Sequence, residues 1–336
     1  MKKKNVVFAG HDLKFAKLII DYLKDLGKYE IKIDQWTGHN SHNEAYSEEC
    51  LQWADIIICE WGLGNAVWYS EHKLPHQKLV VRMHLQEVDT VYPKQFMMEN
   101  IDTIIAISPY VYEEFYRVFK LPREKMKMIY NVVHTEQLDK QKEDASYNLG
   151  IMGICPKRKR LDLAIDILEK LWGQDSRYKL FIKGKMPQDY PWLWKKEEER
   201  VYYEEQFQRI ETAPWKDAVI FEDFGPVDEW FQKIGFILST SDFESFHLAP
   251  SEGMASGSYP IILKWDGSDT IYPKTYLQDN IESCVDRILD INSMKSNKVL
   301  FQQAKEYVQS HFDIEKIGGE WDELLENLYN GSTIGE

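Results

Sequence analysis

Short apolar runs alternate with amphipathic stretches through the first half of the chain. Val6 to Ala9 reads as a buried strand, and Leu13 to Leu26 follows with Phe15, Leu18, Ile19, Tyr22 and Leu23 at the spacing of one helix face. Further strands are predicted at Tyr29 to Asp34, Asp55 to Cys59, Lys78 to Met83, Asp102 to Ile107 and Lys127 to Ile129, with a helix from Pro109 to Phe119. Unbroken runs such as Ile56-Ile57-Ile58 fit strands covered on both faces. Strands alternating with helices imply a parallel, doubly wound sheet.

The pattern then restarts. Thr135 to Ser146 is polar and charged and reads as a linker. Beyond it come a strand (Tyr147 to Met152), a helix (Leu161 to Trp172), a strand (Tyr178 to Lys183) and a charged helical stretch (Pro191 to Thr212). Strands at Val219 to Glu222 and Gly235 to Leu238 bracket a helix near Asp228 to Lys233; a short helix, Ala249 to Ala255, precedes a strand at Tyr259 to Leu263. Helices over Leu277 to Leu289, Ser296 to Gln309 and His311 to Leu328 end the chain. The expectation is an α/β protein of two Rossmann-like, doubly wound domains facing across a cleft. The first covers residues 1–144, with a C-terminal helix, 312–336, packing back on it; the second covers 145–311. Ligands of such sheets bind beyond the carboxyl ends of the strands.

Composition narrows the function. A chain of 336 residues suits about two domains, and 43% hydrophobic residues suffice for two cores. A net charge of −14 argues against a nucleic-acid partner, whose phosphates need a basic face. Cys50, Cys59, Cys155 and Cys284 form no C-x-x-C pair, so neither a disulfide framework nor a zinc site is expected. Lys2-Lys3-Lys4 leads straight into a strand, leaving no run of signal-peptide length, and no stretch is long enough to span a membrane. A reduced, cytoplasmic setting is therefore expected. Lys14, Lys17 and Lys24 on the first helix could touch anionic lipid at the inner face of a membrane, although Asp21 and Asp25 interleave with them.

The chemistry concentrates in one segment. Glu244 and Glu252 sit eight residues apart in S-T-S-D-F-E-S-F-H-L-A-P-S-E-G-M-A-S-G, directly after a strand. A helix starting near Ala249 places Glu252 in its first turn and offers free N–H groups as an anion seat. Carboxylates flanking such a seat accept hydrogen bonds from hydroxyls, and a nucleotide sugar has phosphates in the middle and polyols at both ends.

The segment Phe236 to Ile262 resembles the E-x7-E signature of retaining glycosyltransferases of GT-B architecture, glycosyltransferase family 4. Other segments follow in the family's order: Asn5 to Gly10, K-L-V-V-R-M-H at Lys78 to His84, I-I-A-I-S-P-Y-V-Y from Ile104, M-I-Y-N-V-V-H-T from Met128, and G-I-C-P-K-R-K-R-L-D-L-A from Gly153. The resemblance implies a hexose-type sugar moved from a nucleoside diphosphate, UDP before GDP, to a glycan, lipid-linked or other acceptor hydroxyl. No metal and no resident cofactor are implied.

Residue by residue, Glu244 would contact donor-sugar hydroxyls, Glu252 the ribose, and Lys159 the diphosphate leaving group; His84 would lie near the reacting sugar. Ile154 stands where the family has an arginine, and Arg158 or Arg160 is the available substitute. His247 replaces the usual glycine. It either donates to the phosphates or points away while the amides of Leu248 and Ala249 bind them. Gly10 would let backbone approach phosphate, and Gly184-Lys185-Met186 and Phe224-Gly225-Pro226-Val227 would meet the base. Ser108 and Asn131 are weaker candidates. Acceptor contacts fall to Trp61 to Tyr69 and Tyr92 to Asn100, which carry no readable code. Two other readings remain open: a catalytically degenerate homologue serving as a partner subunit, for which Ile154 and His247 speak, and a sugar phosphorylase-like enzyme. The oligomeric state is not legible.

Overall fold

The structure, a computed structural model, describes residues 3–142 and 144–331. Glu143, within the expected linker, and 332–336, the end of the expected C-terminal segment, lie outside the described residues. The chain divides into two compact units, Met1–Val132 with Phe312–Glu336, and Val133–His311.

The first unit runs β1 (Lys4–Gly10), α1 (Lys17–Asp25), β2 (Tyr29–Gln35), α2 (Glu44–Trp53), β3 (Ile56–Glu60), α3 (Gly64–His72), β4 (Lys78–Met83), β5 (Thr103–Ala106), α4 (Pro109–Phe119) and β6 (Met126–Met128). Its six strands are parallel in the order β2-β1-β3-β4-β5-β6. β1 and β3 are in register, Val6 opposite Ile56 and Phe8 opposite Ile58, all four residues fully buried or nearly so.

The second unit runs α5 (Thr135–Leu138), β7 (Asn148–Met152), α6 (Leu161–Trp172), β8 (Lys179–Lys183), α7 (Pro191–Trp194), α8 (Glu197–Thr212), β9 (Val219–Glu222), α9 (Asp228–Gln232), β10 (Phe236–Ser239), α10 (Leu248–Ala255), β11 (Tyr259–Leu263), β12 (Leu277–Gln278), α11 (Ile281–Ser293) and α12 (Lys298–Phe312). Its parallel order is β12-β11-β10-β7-β8-β9. Residues 133–144, expected with the first domain, fall in this unit. They are tied there by the Lys140–Asp228 ion pair and by Lys142, whose ammonium donates to the carbonyls of Phe231 and Ile234 and the hydroxyls of Ser256 and Ser258.

The last helix, α13 (Ile314–Tyr329), belongs to the first unit. Its buried positions, Ile314, Ile317, Trp321, Leu324, Leu325 and Leu328, repeat at helical spacing and share one core with Ile19, Ile20 and Leu23 of α1. Gly318 is required by this packing, since a Cβ there would stand 2.5 Å from the Tyr22 ring. Lys28 and Asp322 close the edge with an ion pair at 2.6 Å.

Several elements depart from expectation. The first helix begins at Lys17 rather than Leu13. Most of Trp61 to Tyr69, expected as an acceptor loop, is the start of α3, and α2 was not expected at all. Both helices bury small or polar residues, Ser47 and Cys50 in one, Gly64, Asn65, Ala66 and Ser70 in the other, so no apolar stripe announces them. Leu277-Gln278 is a short edge strand, and the helix expected from Leu277 starts at Ile281, capped by Asn280. Of the lysines expected to face lipid, Lys14 pairs with Asp12 and Lys17 with Asp21. No helix among the described residues is long and apolar enough to cross a membrane.

Trp321 is fully buried where α13 meets α1. Trp321→Ala removes the largest side chain of that contact and should cost about 3–5 kcal/mol, read as a lowered urea midpoint; a loss under ~1 kcal/mol would show that α13 contributes little to this core.

Candidate functional site

In the second unit, β10 ends at Ser239 and the chain crosses Thr240 to His247 before α10 begins at Leu248. The turn Lys157–Lys159, on the loop after β7, lies against this crossing. Thr240 donates to the carbonyl of Lys159 at 2.8 Å, and the Asp242 amide to the carbonyl of Arg158 at 2.8 Å. Glu244 is held between the two loops, 8% exposed. Its Oε1 accepts from Lys159 and, at 2.8 Å, from the Ser241 hydroxyl; Arg158 stands 3.5 Å away while donating to the carbonyl of Phe243. Oε2 has no hydrogen-bond partner among the described residues. Burial opposes the charge, but the charges around it outweigh burial and hold the carboxyl below its ordinary range.

His247 is the N-cap of α10 and adopts a left-handed backbone, φ 59°, ψ 85°. That conformation favours glycine and costs another residue about 1–3 kcal/mol, which accounts for the glycine of the resembling pattern. Tyr272 pins the turn by donating to the His247 carbonyl at 2.8 Å. The ring is turned inward, with Nδ1 2.7 Å from the Ser239 hydroxyl and Nε2 4.0 Å from Glu244 Oε1. Burial first, then Lys159 and Arg158, push its pKa down to about 3. A neutral ring carries no charge to share, so the stabilisation of ionised Glu244 comes from Lys159 and Arg158.

Leu248 and Ala249 open α10, and Pro250 follows without an N–H. Glu252 is the fifth helical residue, just past the first turn in which it was expected. Its carboxyl forms no hydrogen bond or ion pair among the described residues. The side chain is only partly covered, yet the protein packed around it raises its pKa to about 7 by desolvation. Ile154, at the position of the expected arginine, is buried, and its carbonyl accepts from Tyr203 at 2.7 Å. Arg160 is committed to Asp162 and Asp242, which leaves Arg158 as the guanidinium beside Lys159.

The two loops expected at a base follow β8 and β9. Gly184 has φ 135°, available only to glycine, and its amide donates to the Glu222 carbonyl at 3.0 Å. The Lys185 ammonium lies 5.8 Å from the ring of Phe224, which is 76% exposed beside Gly225. Val227 caps the start of α9. Next to these loops lies a cavity of about 430 Å³ lined in part by Lys183, Glu222, Pro226 and Trp230.

In the first unit, His84 follows β4 and is 2% exposed. Its Nε2 pairs with Glu60 at 2.9 Å, and its ring lies 4.1 Å from that of Trp61. Burial lowers its pKa, so the ring is neutral and Nε2–H donates to Glu60. Glu60 also takes Arg82 at 3.0 Å, and Arg82 reaches Asn131 at 2.5 Å. Burial disfavours the Glu60 charge, yet Arg82 and His84 keep the carboxyl below its ordinary range. Trp61 sits at φ 69°, and its indole donates to the Asp12 carbonyl at 2.8 Å. Gly10 has a packing explanation: a Cβ there would meet the Glu60 carbonyl at 2.7 Å. Ser108 is the N-cap of α4. Among the described residues, no group of three or more His, Cys, Asp or Glu side chains is placed to hold a metal ion.

No protein-family profile matches the chain, and no curated protein matches it in sequence. Among solved structures it is similar to Alr3699/HepE from Anabaena, crystallised with UDP, with a TM-score of 0.72 at 16% identity over 97% of this chain and 100% of that one. The fold is GT-B. A glycosyltransferase from Rickettsia africae matches at TM-score 0.72 and 13% identity over 100% of both chains. Sucrose-phosphate synthase from Thermosynechococcus elongatus matches at TM-score 0.71 and 15% identity, over 98% of this chain and 100% of that one. At such identities the likeness establishes the architecture of two Rossmann-like domains, GT-B in type.

The structure thus groups Lys159, Arg158, Glu244, His247, Leu248 and Ala249 at the start of α10, with Glu252 further along the helix. His84 and Gly10 belong to the first unit. Sequence reasoning missed Ser239, Ser241 and Tyr272, which hold the α10 turn, and Glu60, Arg82 and Glu87, which surround His84. The run S-T-S before the first glutamate was the available signal for the first pair.

Glu87 accepts from the amides of Gly62 at 2.9 Å and His84 at 3.0 Å. Burial pushes its carboxyl up to about 8 from an ordinary 4.5. Between those values the folded chain holds a proton that the unfolded chain has lost, so stability falls as pH rises through that window. Glu87→Gln cannot ionise and removes this slope. Its urea midpoint should gain on wild type between about pH 5 and pH 8; a constant difference would show that Glu87 is already ionised at the lower pH.

Proposed function

We propose that this chain is a retaining glycosyltransferase of the family 4 type, taking a hexose-type sugar from a nucleoside diphosphate, UDP in preference to GDP. The observation that carries the reading is the start of α10. An ionised Glu244 with an open Oε2, two cations and the amides of Leu248 and Ala249 gather there, and an unpartnered carboxyl follows at Glu252. A diphosphate suits the amides and cations, because a helix N-terminus and fixed positive charge both attract phosphate. Glu252 then accepts from the ribose hydroxyls and Glu244 from the sugar. The base falls to the loops at Gly184-Lys185 and Gly225-Val227. The similar Anabaena protein has been crystallised with UDP, with UDP and glucose and with UDP-glucose, which favours uridine here.

The chemistry follows from charge. Breaking the anomeric C–O bond leaves negative charge on the diphosphate and positive charge on the sugar ring. Lys159 and Arg158 meet the first with preorganised cations, where a metal would otherwise be needed. The open oxygen of Glu244 orients the sugar. No side chain is assigned as nucleophile, so departure and attack occur on one face of the sugar, and the leaving phosphate takes the proton of the incoming hydroxyl. The acceptor, a glycan, lipid-linked or other hydroxyl compound, is assigned to the first unit, with neutral His84 as its candidate catalytic group.

The degenerate-subunit reading rests on Ile154, whose buried side chain supplies no charge to a diphosphate. Titration calorimetry separates the two. Micromolar UDP or GDP binding supports the enzyme, and no binding of either supports the subunit.

Glu252→Ala should weaken UDP binding by about 1.5–3 kcal/mol, one to two decades. Glu244→Ala should lower turnover while leaving UDP affinity nearly intact. Parental transfer rates in both variants would contradict these roles.

A further inference from the structure

His247 carries a bulky ring in a backbone conformation that favours glycine, and the ring is buried rather than turned to solvent. The left-handed turn alone would be better served by glycine, so the strain is tolerated for the imidazole. Ser239 fixes that imidazole's tautomer. The Ser239 hydroxyl is fully buried, and its one hydrogen-bond partner among the described residues is His247 Nδ1, at 2.7 Å. A buried hydroxyl needs an acceptor for its proton, so Ser239 donates to Nδ1 and the ring proton sits on Nε2. Nε2–H has no hydrogen-bond partner among the described residues and lies 4.0 Å from Glu244 Oε1. That separation is too long for a direct bond.

A donor and an acceptor therefore stand side by side with capacity left in each. Glu244 uses Oε1 for Lys159 and Ser241, and Oε2 has no partner among the described residues. We infer that His247 and Glu244 together grip one hydroxyl of the donor sugar, Nε2–H donating to its oxygen and the carboxylate accepting its proton. An oxygen within hydrogen-bond reach of Nε2 fits between that N–H and the carboxylate, whose nearer oxygen is 4.0 Å away, and its proton goes to the open Oε2. A sugar hydroxyl, with one proton to give and lone pairs to accept, satisfies both partners. Hydrogen at the same ring carbon would leave a buried N–H and a buried carboxylate unmatched, so the pair determines specificity by rejecting the deoxy sugar. The ring's neutrality suits the role, since a third cation would compete with Lys159 and Arg158 for the carboxylate.

This inference rests on the donor-site reading above and has its own test. UDP, UDP-glucose and the four UDP-monodeoxyglucoses (2-, 3-, 4- and 6-deoxy) are titrated calorimetrically against wild type and His247→Gly. Wild type should bind one monodeoxy compound about tenfold or more weaker than UDP-glucose. In His247→Gly that gap should shrink to under about threefold, while its melting temperature stays level or rises because the left-handed turn now suits its residue. A melting temperature that rises with loss of discrimination separates sugar recognition from a structural role. The inference is overturned if wild type binds all four analogues like UDP-glucose, or if His247→Gly keeps the wild-type gap. Failure of wild type to bind UDP at all overturns the donor-site reading itself.

Discussion

Glu244 is buried and ionised, and it remains so because Lys159 and Arg158 reach it from a separate loop. An isolated carboxylate in that position would take up a proton, and the two loops would lose the charge that joins them. The attraction brings the turn after β7 against the crossing between β10 and α10. Everything ascribed to the site uses that juxtaposition: cations for a diphosphate, a charged acceptor for hydroxyls and a helix start between them. Thr240 and the Asp242 amide reinforce it through the carbonyls of Lys159 and Arg158.

The first unit solves a similar problem at its own strand ends. Glu60 is buried completely, and Arg82 and His84 keep it charged. The difference lies in what is left over. Around Glu60 the carboxylate is enclosed by Arg82 and His84, although Arg82 Nε has no hydrogen-bond partner among the described residues, and the ring of His84 is covered by Trp61 and Phe15. Around Glu244, one carboxylate oxygen and one imidazole N–H remain open. The contrast is why the donor chemistry is placed on α10, while the first unit is given the acceptor.

Much of the architecture was legible because parallel strands buried on both faces announce themselves as unbroken apolar runs. Ile56-Ile57-Ile58 and Tyr259 to Leu263 are the clearest cases. The stripe of α13, with Trp321 at its centre, was legible from apolar positions recurring at helical spacing. Helices α2 and α3 were not, because they bury serine, asparagine, glycine and cysteine, whose spacing carries no hydrophobic signal. The start of α11 shifted where capping overrode periodicity, at Asn280. Within the site, residue order along the chain pointed to Glu244, Glu252 and Lys159. It was silent on their partners, because Ser239 meets His247, and Lys159 meets Glu244, only after two loops fold together. The oddity at His247 was visible as a missing glycine. Its left-handed backbone and inward ring are properties of the folded turn.

The most direct measurement is a crystal structure of the protein soaked with UDP. The account requires the diphosphate on the amides of Leu248 and Ala249 between Lys159 and Arg158, with the ribose hydroxyls on Glu252. A diphosphate bound elsewhere on the chain, or a ribose that leaves Glu252 untouched, would contradict it.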